Sequence, residues 1–159
     1  MRRTNRSAVR GDRGFTLLEV MVVVLVIGIL LAIGIPTYLG ARERAQDRAA
    51  QQTARTSINT ALIFFTDDGD FFDANYINLG AEEPGFTWVQ RGQNSTHDQM
   101  VSVWWPTSTG DRYGSAVLSE SGTCFFVLAD ANAPTLYGSS DSVACRGNNV
   151  VANATDPSW

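Results

Sequence analysis

The sequence predicts an α+β protein with one long amino-terminal helix. The first half of this helix is expected to span a membrane, and the second half to pack on a three- to four-stranded antiparallel sheet. Three observations carry the prediction: an apolar run at residues 15–35, an amphipathic continuation at 37–66, and short β-like runs separated by turns in the remainder. A length of 159 residues is enough for one domain with a core of its own.

Charge is distributed unevenly along the chain. All twelve basic residues are arginines, and five of them lie in the first fourteen residues beside a single acid. From Phe15 onward the chain has seven arginines and fifteen acidic residues, which gives a net charge of −8. Because nucleic-acid phosphates require a basic surface, we expect this acidic body to be a poor general binder of nucleic acid.

The composition also excludes several chemistries. Without lysine, the chain has no Schiff-base lysine, no phosphate-loop lysine and no amine for isopeptide-linked fibres. One histidine and two cysteines are too few for a zinc site. The serine, histidine and aspartate residues form no recognisable nucleophile motif. We therefore expect no enzyme activity, no cofactor and no metal.

The apolar run has the length of a membrane span. Its twenty-one residues before Pro36 make roughly 31 Å of helix, close to a bilayer core of about 30 Å. The preceding arginines favour a cytoplasmic amino terminus, which places the rest of the chain outside. A secretory signal peptide or a plain anchor would share these features, but neither explains Glu19. A carboxylate in an apolar segment costs roughly 2.5–3.5 kcal/mol at the bilayer centre, which points to a functional role.

The junction Arg13-Gly14-Phe15-Thr16-Leu17-Leu18-Glu19 closely resembles the cleavage site of type IV prepilins. The resemblance covers about residues 10–45, and it implies that a membrane peptidase cuts between Gly14 and Phe15 and then N-methylates Phe15. The layout that it implies is a removed basic leader at 1–14, a transmembrane and filament-core helix at 15–36, an amphipathic helical continuation at 37–66, and a globular head at 67–159.

Removal of the leader would create a cationic amine at Phe15, one helical turn from Glu19. In a filament, the amine of one subunit could neutralise Glu19 of its neighbour and so set the axial register, because an unpaired carboxylate in lipid is costly. Pairing of Phe15 with Glu19 within one helix is the alternative.

Three helix-breaking residues cluster in the same helix. Gly28 and Gly34 each weaken helical preference by about 1 kcal/mol, and Pro36 removes a backbone donor. Together with the resemblance, this clustering predicts a kink at Pro36 and a segment that extends or unwinds in a filament. Glycines used for close helix packing are the alternative.

The helix should end at Asp67-Asp68-Gly69-Asp70, in an acidic and turn-rich stretch. Phe71, Phe72 and Tyr76 are expected to reach the core from it. The acids at 67–73 raise the possibility of calcium, but their spacing does not fit the EF-hand loop, so an acidic turn is the favoured interpretation.

Three β-like runs predict the sheet. The first, 99–105, ends before Pro106, and the other two, 113–118 and 123–129, flank a hairpin turn. A weaker fourth strand is expected near 149–152. Alternation along these runs sorts their large side chains. The expected core residues are Trp88, Trp104, Phe126 and Leu128, with Trp105 and Phe125 on the opposite face, covered by loops or by another subunit.

Cys124 and Cys145 lie in a domain placed outside the membrane, where oxidation to a disulfide is expected. Such a bond would contribute about 3 kcal/mol. The resemblance adds that many type IV pilins tie a carboxy-terminal loop to the sheet in this way; two free buried thiols are the alternative. The polar loop at 130–144 would be exposed and is where adhesion would be sought.

The resemblance implies a structural subunit of a type IV pilus, serving adhesion, twitching motility or DNA uptake. Its partners would be copies of itself, the prepilin peptidase and the inner-membrane assembly machinery. The precursor would sit in the cytoplasmic membrane with its head outside, and the mature protein in an extracellular filament.

Three alternatives remain: a type II secretion pseudopilin, a minor or competence pilin with a DNA- or surface-binding head, and a membrane-tethered enzyme. A DNA-binding head would require Arg91, Arg112 and Arg146 to converge on one exposed face.

Overall fold

The computed structural model describes residues 14–105 and 110–159, so most of the basic leader and Pro106 lie outside the described residues. The chain divides into two units, residues 1–40 and 41–159. One helix, α1, runs from Leu17 to Asp68 and contributes to both units. It is the only helix or strand in the described part of the first unit.

Within the second unit, α1 has one face buried in a core. Its buried positions recur every three or four residues, the repeat of a helix with one packed face. The helix ends at Gly69, whose φ of 82° is left-handed and whose N–H donates to the Phe65 carbonyl at 2.9 Å. The buried side chains of α1 are those of Ala50, Thr53, Ala54, Ser57, Ile58, Thr60 and Ala61.

Five strands form one sheet in the order β1-β2-β3-β4-β5. The pairs from β2 to β5 are antiparallel, whereas β1 runs parallel to β2. The predicted packing of a long helix on a sheet is confirmed, but the sheet has five strands rather than three or four and one parallel pair. The strands are β1 (Thr87–Gln90), β2 (Met100–Trp104), β3 (Arg112–Leu118), β4 (Cys124–Asp130) and β5 (Ala133–Ser140).

The parallel pair depends on the connection between β1 and β2. Parallel strands need a connection that returns the chain to the end where the first strand began. Residues 91–99 make this return as a loop stabilised by the buried hydroxyl of Ser95, which donates to the Met100 carbonyl at 2.6 Å and accepts from the Leu118 N–H at 2.9 Å. The Ser102 hydroxyl adds a 2.6 Å bond to the Gln93 carbonyl.

Both faces of the sheet are covered. Phe125 belongs to the core cluster that includes the buried face of α1, and Phe126 and Leu128 belong to a second cluster with Cys145 and Val150. The carboxy-terminal segment therefore covers the face away from α1. The predicted core residues are therefore divided between the two faces of the sheet. The prediction that loops or another subunit cover Phe125 was wrong, because Phe125 lies in the cluster that includes α1. Apolar residues on both faces of β4 give no sequence signal for which face meets the helix.

The carboxy-terminal segment lies so close to the sheet that two positions require glycine. A Cβ on Gly114 would lie 2.6 Å from Cγ1 of Val150, and one on Gly138 would lie 1.8 Å from the Asn153 carbonyl oxygen. Beyond this contact the chain passes β5, where the Tyr137 N–H donates to the Asp156 carbonyl at 2.7 Å.

Strand β1 was not predicted from the sequence, and four further elements differ from the prediction. Helix α2 (Tyr76–Glu82) lies in the stretch expected to be turns, and Asn75 caps it by accepting from the N–H groups of Ile77 and Asn78. Strand β5 occupies most of the expected polar loop at 130–144. A 3₁₀ turn (Gly147–Asn149) and helix α3 (Val150–Asn153) replace the expected strand near 149–152. Of the expected core residues before β1, Phe71 is buried, Tyr76 is half-buried and Phe72 is exposed.

Candidate functional site

The amino-terminal end of α1 is fixed by Thr16. Its carbonyl accepts from the Val20 N–H at 3.3 Å, and its hydroxyl accepts from the Glu19 N–H at 3.2 Å. Thr16 is thus the N-cap, and Glu19 is the third residue of the helix, in the order Thr-x-x-Glu of a capping box. A carboxylate here also lies near the positive end of the helix dipole.

The described part of the first unit has a large exposed apolar surface. Every large apolar side chain from Phe15 to Leu39 is exposed, and by length and composition the helix could cross a membrane. Removing apolar surface from water is favourable, and contiguous exposed patches of this kind mark sites that lipid or protein covers.

Glu19 has no ionic partner in the described part of the chain. Its side chain lines a shallow apolar groove with Phe15, Val20 and Val23. In the uncleaved chain the nitrogen of Phe15 belongs to a peptide bond, so the amine proposed to pair with Glu19 does not yet exist.

Gly28, Gly34 and Pro36 all lie inside a continuous helix in the single chain. Among residues 14–105 and 110–159, no atom lies within 4 Å of a Cβ placed on Gly28 or Gly34, so neither glycine serves packing within that part of the chain. Pro36 has no backbone N–H to donate within the helix. At the next residue, the Thr37 hydroxyl donates to the Ile33 carbonyl at 3.1 Å. Unwinding of this segment in a filament remains a prediction.

The predicted disulfide is confirmed. Cys124, at the start of β4, is bonded to Cys145, with Cα atoms 5.4 Å apart. The bond attaches the carboxy-terminal segment to the sheet at the point where this segment begins to cover the second face.

The three arginines of the head do not offer three free charges. Arg112 Nε donates to Asp130 Oδ2 at 2.7 Å, and Arg146 Nε is buried without a partner among the described residues. Only Arg91 is exposed with no side-chain partner in that part of the chain.

The Asn132 N–H and then the Arg112 guanidinium hold the pKa of Asp130 below its usual range.

The acidic turn after α1 is stabilised locally. Asp70 Oδ1 accepts from the Phe72 N–H at 2.9 Å, and a Cβ on Gly110 would lie 2.8 Å from the Phe72 ring. Within residues 14–105 and 110–159, no group of three or more histidine, cysteine, aspartate or glutamate side chains is arranged to hold a metal.

The model of the prokaryotic N-terminal methylation motif matches residues 9–35. The type IV major pilin PilA of Myxococcus xanthus is 29% identical over 71% of the chain and 40% of that protein. The type II secretion system core protein G of Dickeya chrysanthemi is 44% identical over 45% of the chain and 46% of its own length. The type IV major fimbrial protein FimA of Dichelobacter nodosus is 48% identical over 42% of the chain and 41% of its own length.

The chain carries the amino-terminal methylation motif and is similar to type IV pilins and to a type II secretion core protein. It spans less than half the length of the curated relatives it matches. Both type IV pilins and a secretion-system core protein are among these relatives, so the comparisons do not distinguish a pilus subunit from a secretion-system subunit. None of the solved structures gives a significant match.

The sequence did not indicate how the second unit holds its part of α1. Asp47 Oδ1 accepts from the hydroxyls of Ser119 and Ser121 at 2.8 and 2.5 Å, and Gln46 donates to Glu120 at 2.8 Å. These bonds attach the β3–β4 turn to α1 shortly before its first buried residue. Polar pairs separated by more than seventy residues leave no local signal in one sequence.

Proposed function

We propose that this protein is a structural subunit of a type IV pilus. Its precursor is cleaved after Gly14, Phe15 is N-methylated, and the mature subunits polymerise through their amino-terminal helices. The observation that carries the proposal is the row of exposed large apolar side chains from Phe15 to Leu39, interrupted near its start by the single acid Glu19.

The energetics of that surface favour its burial in lipid or in a helical bundle over exposure to water. Burying one large apolar side chain contributes roughly 1.5–3 kcal/mol relative to water, so water is not the working environment of this helix. Lipid covers it in the precursor, and neighbouring helices cover it in a filament. Pairing of Glu19 with the amine of a neighbouring Phe15 then favours one axial register, because it removes an uncompensated charge from an apolar surrounding.

Partners and location follow from the same proposal. The partners are further copies of this chain, the prepilin peptidase and the inner-membrane assembly machinery. The precursor has its basic amino terminus in the cytoplasm and its head outside, and the filament is extracellular, where it serves adhesion, motility or DNA uptake. The acidic head, with Arg112 already paired to Asp130, is not the part of such a filament expected to bind nucleic acid.

A type II secretion pseudopilin is the second candidate. The supporting observation is the 44% identity to a core protein G over 45% of the chain. Type IV pilins and core protein G are both among the relatives of this chain, so the identity alone does not favour either. A minor or competence pilin would share the helix and differ in abundance.

The test is deletion of the gene and complementation with the full chain. For a pilus subunit, deletion removes the surface fibres that shearing releases, and this chain is the main protein of those fibres in the parent. For a pseudopilin, sheared material lacks the chain and deletion blocks export of secreted enzymes. Fibres that persist unchanged after deletion, with secretion intact, would contradict both.

A further inference from the structure

Basic residues are concentrated immediately after the apolar part of α1. Residues 41–55 contain four of the seven arginines that follow Phe15 and only two acids, which gives a net charge of +2. Residues 56–159 contain three arginines and twelve acids, which gives a net charge of −9. The acidic body of the chain therefore has one short basic segment, and it directly follows the part of α1 that could cross a membrane.

Three arginines of this segment, Arg42, Arg44 and Arg48, form what we call the collar. They follow Leu39, where the row of exposed apolar side chains ends, by three, five and nine positions. At 1.5 Å of rise per helical residue, these separations are about 5, 8 and 14 Å of chain. The headgroup layer on each side of a bilayer core is about 5–7 Å thick, and charges act beyond it over a Debye length of about 10 Å. All three arginines are therefore within reach of headgroups when the apolar row lies in a membrane.

The collar has a surplus of unpaired positive charge. Its three arginines are exposed, and none has an ion-pair partner in the described part of the chain. Of the two acids in the segment, Asp47 accepts from two hydroxyls of the β3–β4 turn, which leaves Glu43 as the one free carboxylate. Arg44 and Arg48 lie one helical turn apart, where like charges destabilise a helix. An anion that accepts hydrogen bonds from both would remove this repulsion.

We propose that the collar binds the headgroups of anionic phospholipids while the precursor is in the membrane. A guanidinium can donate two parallel hydrogen bonds to one phosphate, so the chemistry of the collar fits a phospholipid headgroup. Binding would also hold the acidic residues 56–159 at an anionic surface that otherwise repels them. The inference rests on the membrane insertion in the proposed function and holds for a pilus subunit and a pseudopilin alike.

The distribution of partners along the segment favours lipid as the occupant. Tyr38, at the end of the apolar row, is exposed and has the amphipathic ring that is enriched at membrane interfaces. The fourth arginine, Arg55, follows Leu39 by sixteen positions, about 24 Å of chain, which is beyond the headgroup layer. Its guanidinium carbon lies 5.1 Å from the centroid of the Trp159 ring, so this arginine has a partner within the chain. The arginines of the segment that headgroups can reach are the ones left unpaired.

The lipid selectivity of the full chain in phosphatidylcholine vesicles tests the collar. Electron spin resonance compares the association of spin-labelled phosphatidylglycerol with that of spin-labelled phosphatidylcholine. One arginine near a membrane surface contributes up to about fivefold, so Arg44→Gln should lower the preference for phosphatidylglycerol by up to that factor, and Arg44→Lys should retain most of it. The matched control, Arg91→Gln, removes the same charge from an exposed arginine outside the collar and should leave the preference unchanged. The arginines before Phe15 are the same in every variant.

The possible failures of the collar and of the proposed function are distinguishable. An unchanged preference in Arg44→Gln, or an equal loss in Arg91→Gln, would overturn the collar and leave membrane insertion standing. Loss of the preference in inorganic phosphate, but not in chloride of equal ionic strength, would show that the arginines bind the free ion and would also overturn it. A chain that does not float with the vesicles would overturn the insertion and the collar together. Absence of the chain from sheared filaments would overturn only its role as a pilus subunit.

Discussion

The backbone N–H of Glu19 donates to the hydroxyl of Thr16, with the nitrogen and oxygen 3.2 Å apart. The carboxylate of Glu19 is thereby held at the third helical position, close to Phe15, with which it lines one groove. In the precursor it interacts with the helix dipole. After cleavage, a cationic amine would appear one turn away. The same residue can therefore serve helix formation first and assembly afterwards.

Replacing Glu19 by Gln should separate these two roles. Gln keeps the shape and remains compatible with a capping box, so the helix and its insertion should persist. The charge pair is lost, and each 1.4 kcal/mol of lost pairing lowers assembly about tenfold. The amount of sheared filament, measured against the membrane pool, gives the effect. Glu43→Gln, at an exposed acid beyond the apolar run, is the control, and an equal loss in both variants would contradict the pairing.

Breaking the disulfide should destabilise the head. Cys124→Ser combined with Cys145→Ser removes a covalent link across 21 positions, and a loop of this size is worth about 3 kcal/mol. Unfolding of the full chain in detergent, followed by tryptophan fluorescence, measures the change. A midpoint unchanged from that of the oxidised protein would contradict the stabilising role.

Gly138→Ala should displace the carboxy-terminal segment. The new Cβ would lie 1.8 Å from the Asn153 carbonyl, so backbone must move, at a cost of about 1–3 kcal/mol. Gly92→Ala meets no atom within 4 Å and should change stability by less than about 0.5 kcal/mol. Denaturant unfolding of the two variants side by side gives the comparison, and equal stability would contradict the close approach.

Acid should weaken the head partly through Asp130. The pKa of its carboxyl is lowered in the folded state, chiefly by the bond from the Asn132 N–H and then by Arg112. The contribution to stability is therefore complete above the unfolded pKa, about 3.9, and is lost as the pH falls through the lower folded value. Asp130→Asn should flatten the stability profile between about pH 5 and pH 2. Asp141→Asn, at an exposed carboxylate with no side-chain bond in the described residues, is the matched control for this measurement.

The elements predicted correctly have strong local signals. The apolar run and the amphipathic stretch after it place α1, and Gly69 marks its end. The runs that became β2, β3 and β4 are short, contain valine and aromatic residues, and are bounded by turns. The paired cysteines followed from their number and the expected compartment.

The parts that were not predicted depend on contacts between distant residues. Strand β5 has a polar and glycine-containing sequence, and it forms because β4 supplies its hydrogen bonds and the chain after Asn153 packs at Gly138. Helix α3 is four residues long and is held by Val150 against Gly114. Only α2 had an unused local signal, the capping side chain of Asn75.

Mass spectrometry of the amino-terminal peptide, from filaments sheared off intact cells, tests the central claim most directly. The account predicts a peptide that begins at Phe15 and is heavier by one methyl group. An amino terminus near Thr37 would contradict it, because the apolar helix would then be a removed signal peptide and Glu19 could have no part in assembly.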